Sequence, residues 1–201
     1  VKINGIDIHK QVDQLEGVIG HISQDDLLIE DLSVFDNLFY NTKLCFDNLP
    51  EKNIIKKTID LLKSLGLYDI KDLKVGSPLN KKISGGQRKR LNIALELIRE
   101  PQVLFVDEPT SGLSSRDSEN IMDLLKELAF KGQLVFVVIH QPSSEIFKMF
   151  DNLLILDTGG FPIYYGNPVE SIIYFKKAIN HVTANESECF NCGNVNPEQI
   201  F

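Results

Sequence analysis

The sequence has no long hydrophobic run, and its longest stretch of purely apolar side chains covers only residues 134–139. A helix that crosses a bilayer needs about 20 such residues, so we expect no membrane-spanning segment here. There are only three cysteines, an odd number, which is not typical of a disulfide framework and favours a reducing compartment. No charged-then-apolar leader opens the chain, so we also expect no secretory signal peptide.

Basic residues are outnumbered by acidic ones, 21 against 28, which gives a formal net charge of −7. This balance argues against a general nucleic-acid binder, because such proteins usually present a basic face. Hydrophobic residues make up 43% of the chain, enough for a sizeable core without metal or disulfide staples. The first residue is Val1 rather than Met and the last is the apolar Phe201, so we expect a piece of a longer protein.

Strand-like and helix-like patterns alternate along the chain. Short apolar runs predict strands, which cover residues 1–8, 17–23, 103–106, 134–139, 153–156 and 162–165. Helical spacing predicts a mainly helical region from 33 to about 79, and helices from Ser84 to just before Pro101, from 114 or 115 to 130, over 143–150 and over 168–178. This alternation predicts βαβ units, a parallel sheet and an α/β fold.

Two adjacent carboxylates, Asp107 and Glu108, directly follow the apolar strand at residues 103–106. Ligands of a parallel sheet bind at the carboxyl ends of its strands. Such a pair taken alone is more often a solvated strand end, but an apolar strand followed by Asp and Glu is the Walker B pattern. In that pattern the Asp holds Mg²⁺ and the Glu polarises the attacking water.

A serine and two glycines, Ser84 to Gly86, begin the helix that follows the mainly helical region. Backbone N–H groups at a helix N-terminus form a site suited to phosphate, although a bare Ser-Gly-Gly is more often a turn. The three cations that follow, at residues 88–90, are interpreted as a solvated helix face. His140 directly follows another predicted parallel strand, so it is well placed to touch phosphate, although a lone His is more often structural. Gln24 follows the predicted strand at residues 17–23 and taken alone carries no functional signal.

Together, the order and spacing of these motifs resemble the ATP-binding domain of ABC transporters. Residues 82–116 resemble the signature motif, its helix, the Walker B strand and the D-loop. Gln24 resembles the Q-loop glutamine and His140 the H-loop histidine. Residues 139–147 and 196–197 look most like the G subfamily of exporters and its bacterial relatives. The resemblance covers nearly the whole chain and implies a P-loop NTPase (RecA-like) ABC cassette with a helical subdomain.

The resemblance implies that ATP and Mg²⁺ are bound in the full-length protein. Asp107 and Gln24 would hold Mg²⁺, Glu108 would act as the general base for water, and His140 would contact the γ-phosphate. Gln24 would also couple the site to the transmembrane domain.

The resemblance also implies a composite site shared by two copies of the domain. The signature residues would bind the γ-phosphate of ATP held by the partner domain, in trans; they are Ser84, Gly85, Gly86 and Gln87. Ser111 and Gly112 belong to a D-loop at residues 111–115 that would lie across the dimer interface. The implied partners are a second ATP-binding domain arranged head to tail and a transmembrane domain on the same polypeptide. We therefore expect a soluble fragment of a domain that lies at the cytoplasmic face of a membrane.

The sequence contains no Gly-x-x-x-x-Gly-Lys-Ser/Thr, the loop that wraps the β- and γ-phosphates in this family. We therefore expect an N-terminally truncated cassette that does not bind or hydrolyse ATP alone with useful affinity. Two positions depart from the family pattern: Ile83 replaces the usual Leu of the signature, and Ser114 replaces the usual Asp of the D-loop. The second change weakens the expectation of a cross-dimer hydrogen bond there.

Cys189 and Cys192 form a lone C-x-x-C, and the only further candidates for a zinc site are Cys45 and His181. A structural zinc site needs four ligands, so metal binding is a minority interpretation and a loop with two thiols is favoured.

We predict one partial ATP-binding domain over residues 1–201. Residues 1–32 would end the N-terminal sheet region and carry the Q-loop, 33–99 would form the helical subdomain, and 100–201 would form half of the RecA-like core and the C-terminal linker region. The predicted function is to power transmembrane transport, with export favoured. The alternative is a soluble ABC ATPase of DNA repair or translation. DNA-repair members insert a long coiled coil between Q-loop and signature, for which this chain has no room; translation-associated members carry basic segments, whereas this chain is acidic.

Overall fold

The computed structural model describes residues 2–3, 5–7, 10, 17–77, 80, 82–179, 187–189 and 193–200. The chain forms two compact units, Val1–Val138 and Ile139–Phe201. None of the helices in these described ranges is both long enough and apolar enough to cross a membrane.

A parallel sheet lies at the centre of the first unit, which begins with an antiparallel hairpin of β1 (Lys2–Ile3) and β2 (Ile6–Asp7). The sheet has three strands in the order β3 (Ile19–Ile22), β4 (Val103–Asp107) and β5 (Leu134–Val138). Three helices separate β3 from β4: α1 (Val34–Cys45), α2 (Glu51–Ser64) and α3 (Gly85–Leu97). A fourth, α4 (Ser115–Phe130), connects β4 to β5. The predicted α/β fold class and parallel sheet are therefore confirmed.

Local sequence signals define where these helices begin and end. Ser33 is the N-cap of α1, and its hydroxyl accepts a hydrogen bond from the backbone N–H of Asp36 at 3.0 Å. Pro50 precedes the first residue of α2, and Gly66 follows the helix with a φ of +63°, which glycine adopts without steric cost. The mainly helical region predicted from residue 33 is confirmed by α1, α2 and a 3₁₀ turn at Tyr68–Ile70.

The core of the first unit lies where α3 packs against β3, α1 and α4. Its fully buried side chains come from these elements and from α2 and β4, and they include Ile22, Leu38, Leu62, Leu91, Ile93, Leu104 and Ile121. Gly20 of β3 allows close packing there, because a Cβ at this position would lie 2.9 Å from Cδ1 of Leu104. Helix α3, which carries the signature motif, contacts β3 directly.

The apolar runs of β4 and β5 are not buried on both faces. Leu104 and Val106 are buried, whereas Phe105 is 40% exposed and Phe136 is 46% exposed. The two exposed rings stack on each other with centroids 5.0 Å apart. Successive side chains of a strand point to opposite faces, and among the described residues the helices cover only one face of this sheet.

The second unit contains α5 (Ser144–Lys148), β6 (Leu153–Leu156), β7 (Pro162–Gly166) and α6 (Pro168–Ala178). Its core is formed by Phe147, Ile172 and Val195. The prediction that the strand at 153–156 continues the parallel βαβ pattern is wrong, because β6 pairs with β7 in antiparallel orientation. The cause is the short turn through Gly159 and Gly160, both at positive φ, since a parallel pair needs a crossover of a dozen or more residues.

Candidate functional site

The predicted catalytic residues of the first unit meet at the carboxyl edge of its sheet. Ile22, the last residue of β3, pairs with Val106, and Asp107, the last residue of β4, pairs with Val138. Gln24 follows β3 by two residues and Glu108 directly follows β4, so the parallel register carries both side chains to the same edge.

A hydrogen bond joins Gln24 and Glu108 across this edge. The Nε2 of Gln24 donates to Oε2 of Glu108 at 3.0 Å, although the residues are 84 positions apart in the sequence. The bond leaves Oε1 of Gln24 as an acceptor and leaves the second carboxylate oxygen of Glu108 for another donor. These two oxygens, Oε1 of Gln24 and the second carboxylate oxygen of Glu108, can therefore bind a water molecule or a cation.

The backbone of Glu108 is in an unusual conformation. Its φ of +39° lies in the left-handed region, which costs a non-glycine residue about 1–3 kcal/mol. Its N–H donates to the carbonyl of Val138 at 2.9 Å, and Pro109 follows it. The strand β5 thus holds the residue in the conformation that directs its carboxylate toward Gln24.

The donor set at this edge fits Mg²⁺. Carboxylate and amide oxygens are hard ligands, and Asp107 and Gln24 provide one group of each kind. Among the described residues there is no group of three or more His, Cys, Asp or Glu side chains that could hold a metal unaided. Mg²⁺ commonly keeps several waters and takes further ligands from substrate phosphates, so two protein ligands are sufficient.

A capping box starts the signature helix α3. Ser84 is the N-cap: its hydroxyl oxygen accepts from the N–H of Gln87 at 3.1 Å, and Oε1 of Gln87 accepts from the N–H of Ser84 at 2.8 Å. The N–H groups of Gly85 and Gly86 occupy the first helical turn, where no intrahelical acceptor exists. Two backbone donors and the Ser84 hydroxyl proton are therefore available to an anion.

Packing explains why the second signature glycine has no side chain. A Cβ on Gly86 would lie 2.5 Å from Oδ1 and 2.8 Å from Cγ of Asp117, in the first turn of α4. A Cβ on Gly85 would meet only the terminal Cδ2 of Leu113, at 3.1 Å. A side chain at Gly86 would therefore collide with α4, whereas one at Gly85 would meet a single flexible atom.

The D-loop residues form an exposed turn between β4 and α4. The N–H of Ser111 donates to the carbonyl of Glu108 at 3.2 Å, and Gly112 has a φ of +70°. Ser114 is the N-cap of α4 and accepts from the N–H of Asp117 at 3.2 Å. The role of Ser111 and Gly112 at a dimer interface stays a prediction.

His140 belongs to the second unit, where it is exposed and stands two residues before Pro142. Gln141 has a φ of +46°, so the backbone beside His140 is in the left-handed region. Its contact with the γ-phosphate stays a prediction. Of the residues considered for zinc, Cys192 and His181 lie outside the described residues, Cys45 is half-buried and Cys189 is exposed.

The interpretation of residues 88–90 as a solvated helix face is wrong. Arg88 is only 7% exposed and forms an ion pair with Asp26, with 2.9 Å between Nη2 and Oδ1. Lys89 is half-buried; burial lowers the pKa of its ammonium group, and nearby carboxylates, including those of Asp107 and Glu108, oppose that shift.

Comparison with known proteins gives two family matches. The ABC transporter family model matches residues 1–111, and the ABC-2 type transporter model matches residues 140–185. Similar proteins include ABC transporter G family member 28 of Arabidopsis thaliana, 37% identical over 164 residues that cover 81% of this chain and 15% of that protein. ABC transporter G family member 24 of Dictyostelium discoideum is 37% identical over 210 residues, covering 100% of this chain and 18% of that protein.

A third relative is the broad substrate specificity ATP-binding cassette transporter ABCG2 of Mus musculus, 37% identical over 163 residues, covering 81% of this chain and 25% of that protein. The chain thus spans a quarter or less of the length of these curated relatives. The family model matches more than half of the chain, and its match includes the Q-loop, the signature helix and the Walker B carboxylates that meet around the edge of the sheet. The chain therefore belongs to the ABC transporter family, as a nucleotide-binding domain of the G-subfamily type.

Proposed function

We propose that this chain is the part of a G-subfamily ABC transporter that hydrolyses ATP to drive export. The hydrogen bond between Gln24 and Glu108, at the sheet edge beside Asp107, carries the proposal. It holds a carboxylate in a defined orientation next to oxygen ligands that suit Mg²⁺. An arrangement of this kind is what phosphoryl transfer to water requires.

The residues at the sheet edge divide the work of hydrolysis. When bound, Mg²⁺ neutralises charge on the phosphate oxygens. Asp107 and Oε1 of Gln24 are its proposed ligands in this chain. The carboxylate of Glu108 accepts the proton of the attacking water as the water oxygen bonds to the γ-phosphorus, and ADP leaves with the electrons of the broken bond. His140 is the proposed contact of the γ-phosphate.

A second copy of the domain completes the proposed site. The N-terminus of α3 offers its donors, from Ser84 to Gln87, to the γ-phosphate of ATP that is held by the partner domain. Ser111 and Gly112 are the proposed contacts across the same interface. A head-to-tail pair of domains therefore forms two equivalent sites, and each copy provides one half of each.

Transport requires a membrane domain, and we propose that it lies on the same polypeptide, with this domain at the cytoplasmic face of the membrane. One of the relatives, from Saccharomyces cerevisiae, is described as an uncharacterized ABC transporter ATP-binding protein/permease. The ABC-2 type transporter match at residues 140–185 also supports this arrangement. The plant, amoebal and mouse relatives are all named as transporters, which favours transport over DNA repair or translation.

The 201 residues contain no Gly-x-x-x-x-Gly-Lys-Ser/Thr sequence. That loop supplies most of the contacts with the β- and γ-phosphates in P-loop enzymes. We therefore expect the 201-residue chain alone to bind Mg·ATP only weakly. Isothermal titration calorimetry tests this, and micromolar binding would contradict it.

The hydrolysis proposal is tested on the whole gene product that contains these residues. Glu108→Gln removes the proton acceptor and should lower the rate of phosphate release by about 100-fold or more. Glu119→Gln makes the same chemical change on the exposed surface of α4 and should leave the rate unchanged. If both variants keep the wild-type rate, Glu108 is not the general base; if the wild type releases no phosphate, the proposed function is wrong.

A further inference from the structure

A lysine of the signature helix binds the main chain of the Q-loop. The Nζ of Lys89 donates to the carbonyl of Gln24 at 3.2 Å and to the carbonyl of Ser23 at 3.4 Å. Lys89 is half-buried, so most of its side chain packs between α3 and this loop instead of extending into water. A lysine ammonium group has three donors and can bond two adjacent carbonyls at once.

Two neighbours of Lys89 on α3 hold the same loop farther along. Arg88 forms its ion pair with Asp26, and Oδ1 of Asn92 accepts from the N–H of Leu27 at 3.3 Å. Arg88 and Asn92 are four positions apart and therefore lie on the same face of the helix. The loop after β3 is thus attached to α3 at several points, and of these three side chains only Lys89 bonds to Gln24 itself.

The bonds from Lys89 continue to the catalytic carboxylate. Lys89 holds the carbonyl of Gln24, and the side-chain amide of Gln24 holds Glu108 at 3.0 Å. Lys89 lies on α3, the helix whose N-terminus offers donors to an anion, and Glu108 is the proposed base. A small displacement of α3 therefore moves the backbone from which the Gln24 side chain is directed.

We propose that Lys89 is a positioning residue that fixes the Gln24 side chain against Glu108 and links the orientation of this pair to the signature helix. The consequence for hydrolysis rests on the proposed function, whereas the positioning itself is a property of the chain without nucleotide. Lys89 contacts neither substrate nor water in this role. It acts through the backbone of Gln24.

The first test observes the Gln24 side chain directly, by NMR of the 201-residue chain without nucleotide. Its amide proton signals are assigned with Gln24→Ala, and Glu108→Ala gives their position when the bond to Glu108 is lost. Lys89→Met removes the donors but keeps the length of the side chain, so it should move the signals toward the Glu108→Ala position. Lys52→Met, an exposed lysine on α2, is the matched control and should leave them unchanged.

The second test measures ATP hydrolysis by the whole gene product. Lys89→Met should lower kcat by about 10- to 100-fold with little change in KM, because misplacing a catalytic group has effects of this size. In a Gln24→Ala background the same substitution should have no further effect on kcat. Lys89→Arg keeps the charge and the donors and should restore part of the rate.

The outcomes separate the positioning proposal from the proposed function. Gln24 signals that do not move in Lys89→Met overturn the positioning role, whatever the activity shows, and so does an additive loss of kcat in the Gln24→Ala background. If the Gln24 signals of the 201-residue chain move but the whole gene product has no ATPase activity, the positioning role stands and the proposed function is refuted. If Lys89→Met does not fold, Lys89→Leu, which also lacks a donor, provides the same comparison.

Discussion

A substitution at the second signature glycine is a sharp test of how α3 packs against α4. Replacing Gly86 by Ala adds one methyl group, which would lie 2.5 Å from Oδ1, 2.8 Å from Cγ and 3.2 Å from Cβ of Asp117. The whole Asp117 side chain must move, because all three of these atoms are too close. Its carboxylate also accepts a hydrogen bond from the Ser114 hydroxyl at 3.0 Å, which the movement would break.

The size of the effect follows from three contributions. Inserting a methyl group into a packed contact costs about 1–3 kcal/mol. Loss of the hydrogen bond between Ser114 and Asp117 adds about 0.5–1.5 kcal/mol. The higher helix propensity of Ala returns up to about 1 kcal/mol. We therefore expect Gly86→Ala to lower the free energy of unfolding by about 0.5–4.5 kcal/mol.

The neighbouring glycine is the matched control. Gly85→Ala places its methyl group 3.1 Å from a single flexible atom, Cδ2 of Leu113, which can rotate away. The gain in helix propensity then dominates, and the free energy of unfolding should stay the same or rise by up to about 1 kcal/mol. Urea denaturation measures the free energy of unfolding of both variants. Loss of the helical circular dichroism signal monitors unfolding, because most helical residues belong to the first unit.

A double-mutant cycle assigns the loss to the contact with Asp117. Asp117→Ala removes the two closest atoms and leaves only Cβ, so Gly86→Ala should cost less than half as much in that background. Equal losses from Gly85→Ala and Gly86→Ala would refute the reasoning. A loss from Gly86→Ala that Asp117→Ala leaves unchanged would refute it as well, because the cause would then lie outside the contact between α3 and α4.

Two further predictions concern single hydrogen-bonded side chains. Asn37 is 6% exposed, and its amide group accepts from the N–H of Ile29 at 2.8 Å while donating to the carbonyls of Ile29 and Ser33. Asn37→Ala should therefore lower the free energy of unfolding by about 2–4 kcal/mol in urea denaturation, and a loss below about 0.5 kcal/mol would contradict this. Burial, with a smaller contribution from Glu170, raises the pKa of the Tyr164 phenol above its ordinary value, and the hydroxyl donates to the carbonyl of Asn167 at 2.7 Å. The contribution of the Tyr164 phenol to stability should be complete below about pH 10, its pKa in the unfolded chain. That contribution should be lost as the pH rises through the raised pKa of the folded protein. The melting temperature should therefore fall less steeply with pH across this range in Tyr164→Phe than in the wild type.

Most of the fold could be predicted because each helix carries its own start signal. Ser33, Ser84, Ser114 and Ser143 are each the N-cap of a helix, with the side chain accepting from the N–H three residues later. Strand partners carry no comparable local signal. The apolar run at 153–156 resembles the run at 103–106, yet the first pairs with its neighbour in a hairpin and the second with strands distant in sequence.

The site was predictable in its residue types but not in the contacts between them. Asp107 and Glu108 are visible at a strand end in the sequence, and a parallel sheet brings Gln24 to the same edge, but the hydrogen bond between Gln24 and Glu108 is seen only in the structure. Burial of Arg88 and Lys89 was not visible, because three consecutive cations on a helix are most often solvated. What buries them is the loop after β3, and the position of that loop depends on the packing of α3 on β3.

The backbone strain at the site has a sequence signal that composition and periodicity overlook. Three non-glycine residues have positive φ among the described residues, namely Glu100, Glu108 and Gln141, and each directly precedes a proline. Proline disfavours the right-handed helical conformation for the residue before it. The left-handed conformation is then less unfavourable by comparison than it is elsewhere in a chain. At Glu108 the hydrogen bond from its N–H to Val138 then holds the strained conformation. Pro109 therefore contributes to the orientation of the proposed base through the backbone that it shares with Glu108. A search for acidic residues that lie between a predicted strand and a proline would have selected Glu108.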